Sequence, residues 1–99
     1  MEISKDKNGS TLVVSPAGRL DTASAPQLEA ELNASIGDVT ELILDLAKLE
    51  YMSSAGLRIL LSTQKTMNKQ GKMIVKNVND TIMEVFEITG FTDILSIEN

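Results

Sequence analysis

Hydrophobic and polar positions change their period several times along this 99-residue chain. Near the start, two strand-like runs at about residues 2–6 and 10–16 flank Asn8-Gly9. Asn-Gly is a strong signal for a type I′ hairpin, because both central residues of that turn take φ > 0. Pro16 and Gly18 are expected to end the second strand. From Ala25 the period lengthens, and Ala25, Leu28, Leu32 and Ile36 fall on one helical stripe. Ser24 with Gln27 fits a capping box, Pro26 stands where a first turn tolerates proline, and Gly37 is a plausible stop.

The run "VTELILDL" reads as a strand buried on both faces, hence central and parallel. From Ser54 the helical period returns. Leu57, Leu60, Leu61 and Met67 share one face, and Gly71 closes the element. "KMIVKNV" is the next strand. "NDTIMEVFEITG" is a third helix, capped by Asn79 or Asp80, with Ile82, Val85 and Phe86 inward and Gly90 after its end. "FTDILSI" supplies a short final strand. The order β-β-α-β-α-β-α-β predicts an α/β fold: a mixed sheet of about five strands, opened by a hairpin and continued by parallel strands with crossover helices. One domain over residues 1–99 suits this length, and no repeat or linker divides it.

Composition narrows the chemistry. With 42% hydrophobic residues a core can be built, and no apolar run reaches the roughly 18 residues that a membrane helix needs. The charged start "MEISKDK" does not resemble a secretory signal, so retention in the cytoplasm is expected. The chain has no cysteine and no histidine. Disulfides, thiolate metal sites and any His-based catalytic triad are thereby excluded. A net charge of −5 argues against nucleic acid and against an anionic membrane surface. Three aromatics, Tyr51, Phe86 and Phe91, make a poor base-stacking platform. There is no phosphate-binding glycine loop, no dinucleotide fingerprint and no serine elbow. The expectation is a protein-binding domain without cofactor or catalytic residues rather than an enzyme.

The densest local signal is "LEYMSSAGLRILL", Leu49 to Leu61. Ser54 falls where a loop meets a helix. As an N-cap, its hydroxyl would accept from the amide of Gly56 or Leu57, worth about 1 kcal/mol. As a phosphate acceptor, it would place roughly −1.5 to −2 charges on a helix N-terminus, where free amides and the dipole favour an anion. Ser53 competes for either role or is a solvated turn residue. Gly56 in a first turn costs about 1 kcal/mol against alanine, which suits a close approach of another group. Arg58 and Ile59 leave the Leu57–Leu61 stripe and form a candidate partner patch, or Ile59 is a lone exposed apolar residue. Asp21 in "GRLD" either makes a local turn or gathers beside Ser54 where parallel strands end at one sheet edge. Asp45 is expected to satisfy backbone donors at the end of its strand.

These residues resemble a known family. "GRLD", "LILDLAKLEYMSSAGLRILL" and "IMEVFEITGFTDIL", in that order, are similar to the three signature segments of bacterial anti-sigma factor antagonists, which are single STAS domains. In that family the serine at the place of Ser54 is phosphorylated by a partner that is both serine kinase and anti-sigma factor. The resemblance implies that the unphosphorylated form binds this partner and frees the sigma factor. It further implies that a PP2C-type phosphatase reverses the modification. Asp21, Ser53, Ser54, Gly56, Arg58 and Ile59 are then the expected docking residues. Two departures stand out: Ser53 replaces an aspartate common there, and Ala55 replaces a second Ser or Thr. The alternative is a STAS binding module whose contacts ignore phosphorylation.

Overall fold

The structure is a computed structural model and describes residues 1–98. Six strands and three helices follow one another as β1 (Glu2–Asn8), β2 (Thr11–Leu20), α1 (Ala25–Ser35), β3 (Glu41–Asp45), β4 (Leu49–Met52), α2 (Ser54–Gln70), β5 (Lys72–Lys76), α3 (Asp80–Thr89) and β6 (Ile97–Glu98). A 3-10 turn at Phe91–Asp93 occupies part of the stretch expected to be strand, leaving β6 two residues long. The sheet order is β1-β2-β3-β5-β6, with β4 also on β2. β1 pairs antiparallel to β2, and the other pairs are parallel.

The opening hairpin differs from expectation in its turn. Asn8 still pairs with Thr11, so the loop is Gly9-Ser10. Positive φ falls on Gly9 and not on Asn8. A turn that demands φ > 0 only at its first central residue is of the II′ kind, and glycine there satisfies it.

β2 also runs past Pro16 and Gly18 to Leu20. Its first half, Thr11–Val14, pairs with β3, and its last residues, Gly18–Leu20, pair with β4. Residues 15–17 face the break between β3 and β4, so the missing amide of Pro16 costs no ladder bond on that side. Gly18, at φ 103°, sits where the register shifts and donates to the Lys48 carbonyl at 3.0 Å.

The core is layered. Leu12 lies opposite Leu42, which lies opposite Met73, and Val14, Leu44 and Val75 repeat the pattern two residues on. All six are buried. The alternate row, Val13, Ile43 and Ile74, is only half-buried, so β3 is covered fully on one face rather than on both as its composition suggested. Over the buried row lie the expected stripes: Ala25, Leu28, Leu32 and Ile36 of the α1 segment, and Leu57, Leu60 and Met67 of α2. Leu61 is half-buried. Each fully buried Leu or Met contributes about 2 kcal/mol of transfer free energy.

Both predicted caps of α3 form, and the one predicted for the start of α1 does not. Asn79 Oδ1 accepts from the Ile82 amide at 2.8 Å, and Gly90 takes φ 80° after α3. The capping box of α1 is absent: Ser24 turns back to its own loop, and Gln27 donates to the Met1 carbonyl. Asp45 behaves as expected, accepting from the Ala47 amide at 3.1 Å.

Candidate functional site

The parallel register of β2 and β4 builds the site. Leu20 lies opposite Met52, so both strands end at the same sheet edge. The next residues there are Asp21 on one chain segment and Ser53-Ser54 on the other. The Ser53 amide donates to the Leu20 carbonyl at 2.9 Å, which fixes the entry to α2. Ser53 is the N-cap, with extended φ −95° and ψ 178°. Ser54 is the first helical residue, not the cap, and is exposed.

Ser53 occupies the cap position without capping. Its Oγ is buried and has no hydrogen-bond partner among the described residues. The first bond of the helix runs from the Leu57 amide to the Ser53 carbonyl at 3.1 Å. Among the described residues the amides of Ser54, Ala55 and Gly56 have no acceptor, and the first turn holds no acidic side chain. A 17-residue helix with such a terminus presents amide hydrogens and the positive end of its dipole beside an exposed hydroxyl.

Gly56 explains how the helix comes so close. A β-carbon there would lie 2.7 Å from Leu20 Cγ and 3.0 Å from Met52 Cγ. The first turn of α2 therefore rests directly on the last residues of β2 and β4.

The structure corrects the expectation for Ile59. It is 6% exposed and belongs to the core, so it is no exposed docking residue. Burial follows from the wide apolar arc of α2, which packs against β4, β5 and α1 and takes in Gly56, Leu57, Ile59 and Leu60 together. Arg58 is exposed as expected. A shallow groove of about 230 Å³ runs between the first turns of α1 and α2, walled by Thr22, Ala25, Pro26 and Glu29 on one side and Ala55, Arg58 and Ile59 on the other. A larger hollow of about 490 Å³ lies between β1 and the end of α1, far along the chain from this edge. Its Lys7 is paired with Asp38, and its Lys5 reaches Glu31.

Asp21 is at the edge, but its carboxylate serves its own loop. Oδ1 accepts from the Ala23 amide at 3.1 Å and the Ser24 amide at 3.0 Å, an Asx turn. The Ser24 hydroxyl donates to the Arg19 carbonyl at 2.6 Å and accepts from the Asp21 amide. The Ser24 amide is the main cause that holds the Asp21 carboxyl below its ordinary value. The Ser24 hydroxyl, the Ala23 amide and the Arg19 charge add to it against partial desolvation. Asp21 is thus an anion fixed in place near Ser54, with no hydrogen bond between the two.

Two residues at this edge escaped the sequence reading. The Arg19 guanidinium lies 4.3 Å over the centre of the Tyr51 ring, and Tyr51 is 38% exposed. They are register partners across β2 and β4. Only the β2–β4 pairing could have revealed them, and β4 itself was not anticipated. No group of three metal-ligating side chains occurs among the described residues. No helix of the described residues is long and apolar enough to cross a membrane.

Comparison with known proteins agrees with this geometry. The STAS domain signature matches residues 2–99. The chain is 38% identical to BtrV of Bordetella bronchiseptica, named for anti-sigma factor antagonism, over all of this chain and 87% of that protein. A crystal structure of an anti-sigma factor antagonist from Mycobacterium paratuberculosis superposes with a TM-score of 0.89 at 26% identity, covering 97% of this chain and 83% of that one. The Bacillus cell fate determinant SpoIIAA in its phosphorylated form shares the fold, with a TM-score of 0.77 at 24% identity over 99% and 92% of the two chains. The chain belongs to the STAS domain family of anti-sigma factor antagonists.

Proposed function

We propose that this domain is a phosphorylation-controlled antagonist of an anti-sigma factor that is also a serine kinase. The unphosphorylated form docks on that partner in the cytoplasm through the start of α2, with Ser54 and Arg58, and its bound sigma factor is released. Gly56, expected among the docking residues, is buried against Leu20 and Met52 and only seats the helix. Asp21 and the Arg19–Tyr51 pair flank the contact. The observation that carries this reading is the exposed Ser54 hydroxyl on the first turn of α2, beside three amides without acceptors and no acidic neighbour in the turn.

The chemistry asked of this chain is small. Ser54 Oγ attacks the γ-phosphorus of ATP held by the kinase. The Oγ–P bond forms, the bond to the β–γ bridging oxygen breaks, and ADP leaves. The hydroxyl proton passes to a base of the kinase. A PP2C-type phosphatase returns the hydroxyl by hydrolysis, with inorganic phosphate as product. The helix terminus tolerates the phosphate, so the fold persists while the surface gains roughly −1.5 to −2 charges. In a desolvated interface such a charge, left unpaired, costs about 3–5 kcal/mol. A loss of about 4 kcal/mol weakens binding about a thousandfold.

Binding to the cognate kinase by wild type, Ser54→Ala and Ser54→Asp tests the switch. Ser54→Ala is expected to bind as wild type does and to stay unlabelled, and Ser54→Asp to bind weakly. Tight binding by Ser54→Asp would favour a module whose contacts ignore phosphorylation.

A further inference from the structure

Ser54 and Arg58 lie four residues apart on α2, both exposed. Residues at that spacing are neighbours on one helix face, about 5–6 Å apart at Cβ. Long helical side chains lean toward the N-terminus of their helix, so Arg58 leans toward the turn that carries Ser54. The guanidinium makes no ion pair or side-chain hydrogen bond among the described residues, whereas every ion pair recorded there is made by a lysine elsewhere, Lys5, Lys7 or Lys72. Glu29 lines the same groove but is not within ion-pair distance. The first turn offers no carboxylate to compete.

From this we infer that Arg58 is the clasp for the phosphate on Ser54, and that phosphorylation takes Arg58 off the docking surface. The inference rests on the reading of Ser54 as the modified residue. A planar guanidinium meets two phosphate oxygens at once, with charge-assisted bonds. The order acid first, base four residues later is the favourable one on a helix. In the free hydroxyl form Arg58 is available to a partner entering the groove beside Thr22 and Pro26. In the phosphorylated form it folds back along α2 onto the phosphate. The modification thus acts twice, adding an anion and removing a cation from the same patch.

The test installs phosphoserine at position 54 by codon reassignment, without the kinase, in wild type and in Arg58→Gln. Arg58 is exposed, so both chains are expected to fold, which circular dichroism checks. Phosphorus NMR then follows the second ionisation of the phosphate. The wild-type value is expected to lie about half a unit or more below that of Arg58→Gln, because a cation beside the phosphate favours its dianion. Equal values in the two proteins would overturn the clasp. Because no kinase enters the measurement, that outcome leaves the phosphorylation site itself to be judged by labelling.

Discussion

Gly56 lies against Leu20 so closely that a β-carbon at position 56 would come within 2.7 Å of Leu20 Cγ. That contact presses the first turn of α2 onto the end of β2 and sets where Ser54 stands. Gly56→Ala improves helix propensity by about 1 kcal/mol. Overpacking against Leu20 and Met52 outweighs the gain, with a net loss of about 1–3 kcal/mol in urea unfolding. Combining it with Leu20→Ala should show strong coupling in a double-mutant cycle, since the small side chain makes room. Additive losses would mean that the contact does not hold the helix.

Ser53→Ala is expected to leave stability unchanged or raise it by about 1 kcal/mol. Its hydroxyl is buried without a partner, so removal relieves a desolvated polar group. An ordinary N-cap serine would lose about 1 kcal/mol on the same change. The urea midpoint separates the two signs.

Ile59 and Arg58 are neighbours with opposite consequences. Ile59→Ala removes a core side chain and should cost about 2–4 kcal/mol. Arg58→Ala is a surface change and should stay within about 0.5 kcal/mol. Thermal unfolding of the two variants checks the reassignment of Ile59 to the core.

Acid sensitivity follows from three carboxylates held below their ordinary values: Asp21 chiefly by the Ser24 amide, Asp38 by the Lys7 ammonium and Glu41 by the Lys72 ammonium. In each case the folded chain gives up its proton more readily than the unfolded chain. The unfolded chain therefore binds more protons in this window, and stability falls as pH falls. The loss begins near the ordinary values, 4.5 for Glu and 3.8 for Asp, and continues below them. Asp21→Asn keeps an acceptor for the Asx turn but cannot titrate. Its urea midpoint should decline less steeply with acid than that of wild type, and equal slopes would exclude a contribution from Asp21.

Much of the fold was legible because long amphipathic segments carry their own period. The stripe Ala25, Leu28, Leu32 and Ile36, and the capped helix from Asn79 to Gly90, are examples. β4 was not legible. Its four residues run buried, exposed, exposed, buried, because the register shift at Gly18/Arg19 leaves Glu50 without a partner and breaks the alternation. The extension of β2 through Pro16 was hidden for a related reason: the break between β3 and β4, which spares proline its missing bond, is a tertiary fact. At the site, the start of α2 could be read from local residues to within one position, with Ser53 rather than Ser54 at the cap. The burial of Ile59 and the Arg19–Tyr51 pair could not, because each depends on which elements lie beside α2 and β4.

One measurement tests the proposed role of Ser54 most directly. The purified chain is incubated with ATP and the anti-sigma kinase proposed as its partner. The modified residue is mapped by mass spectrometry, and affinity for the kinase is measured before and after. One phosphate on Ser54, with affinity reduced about a thousandfold, is the predicted result. Phosphate on Ser53, or undiminished affinity with Ser54 fully modified, would contradict it.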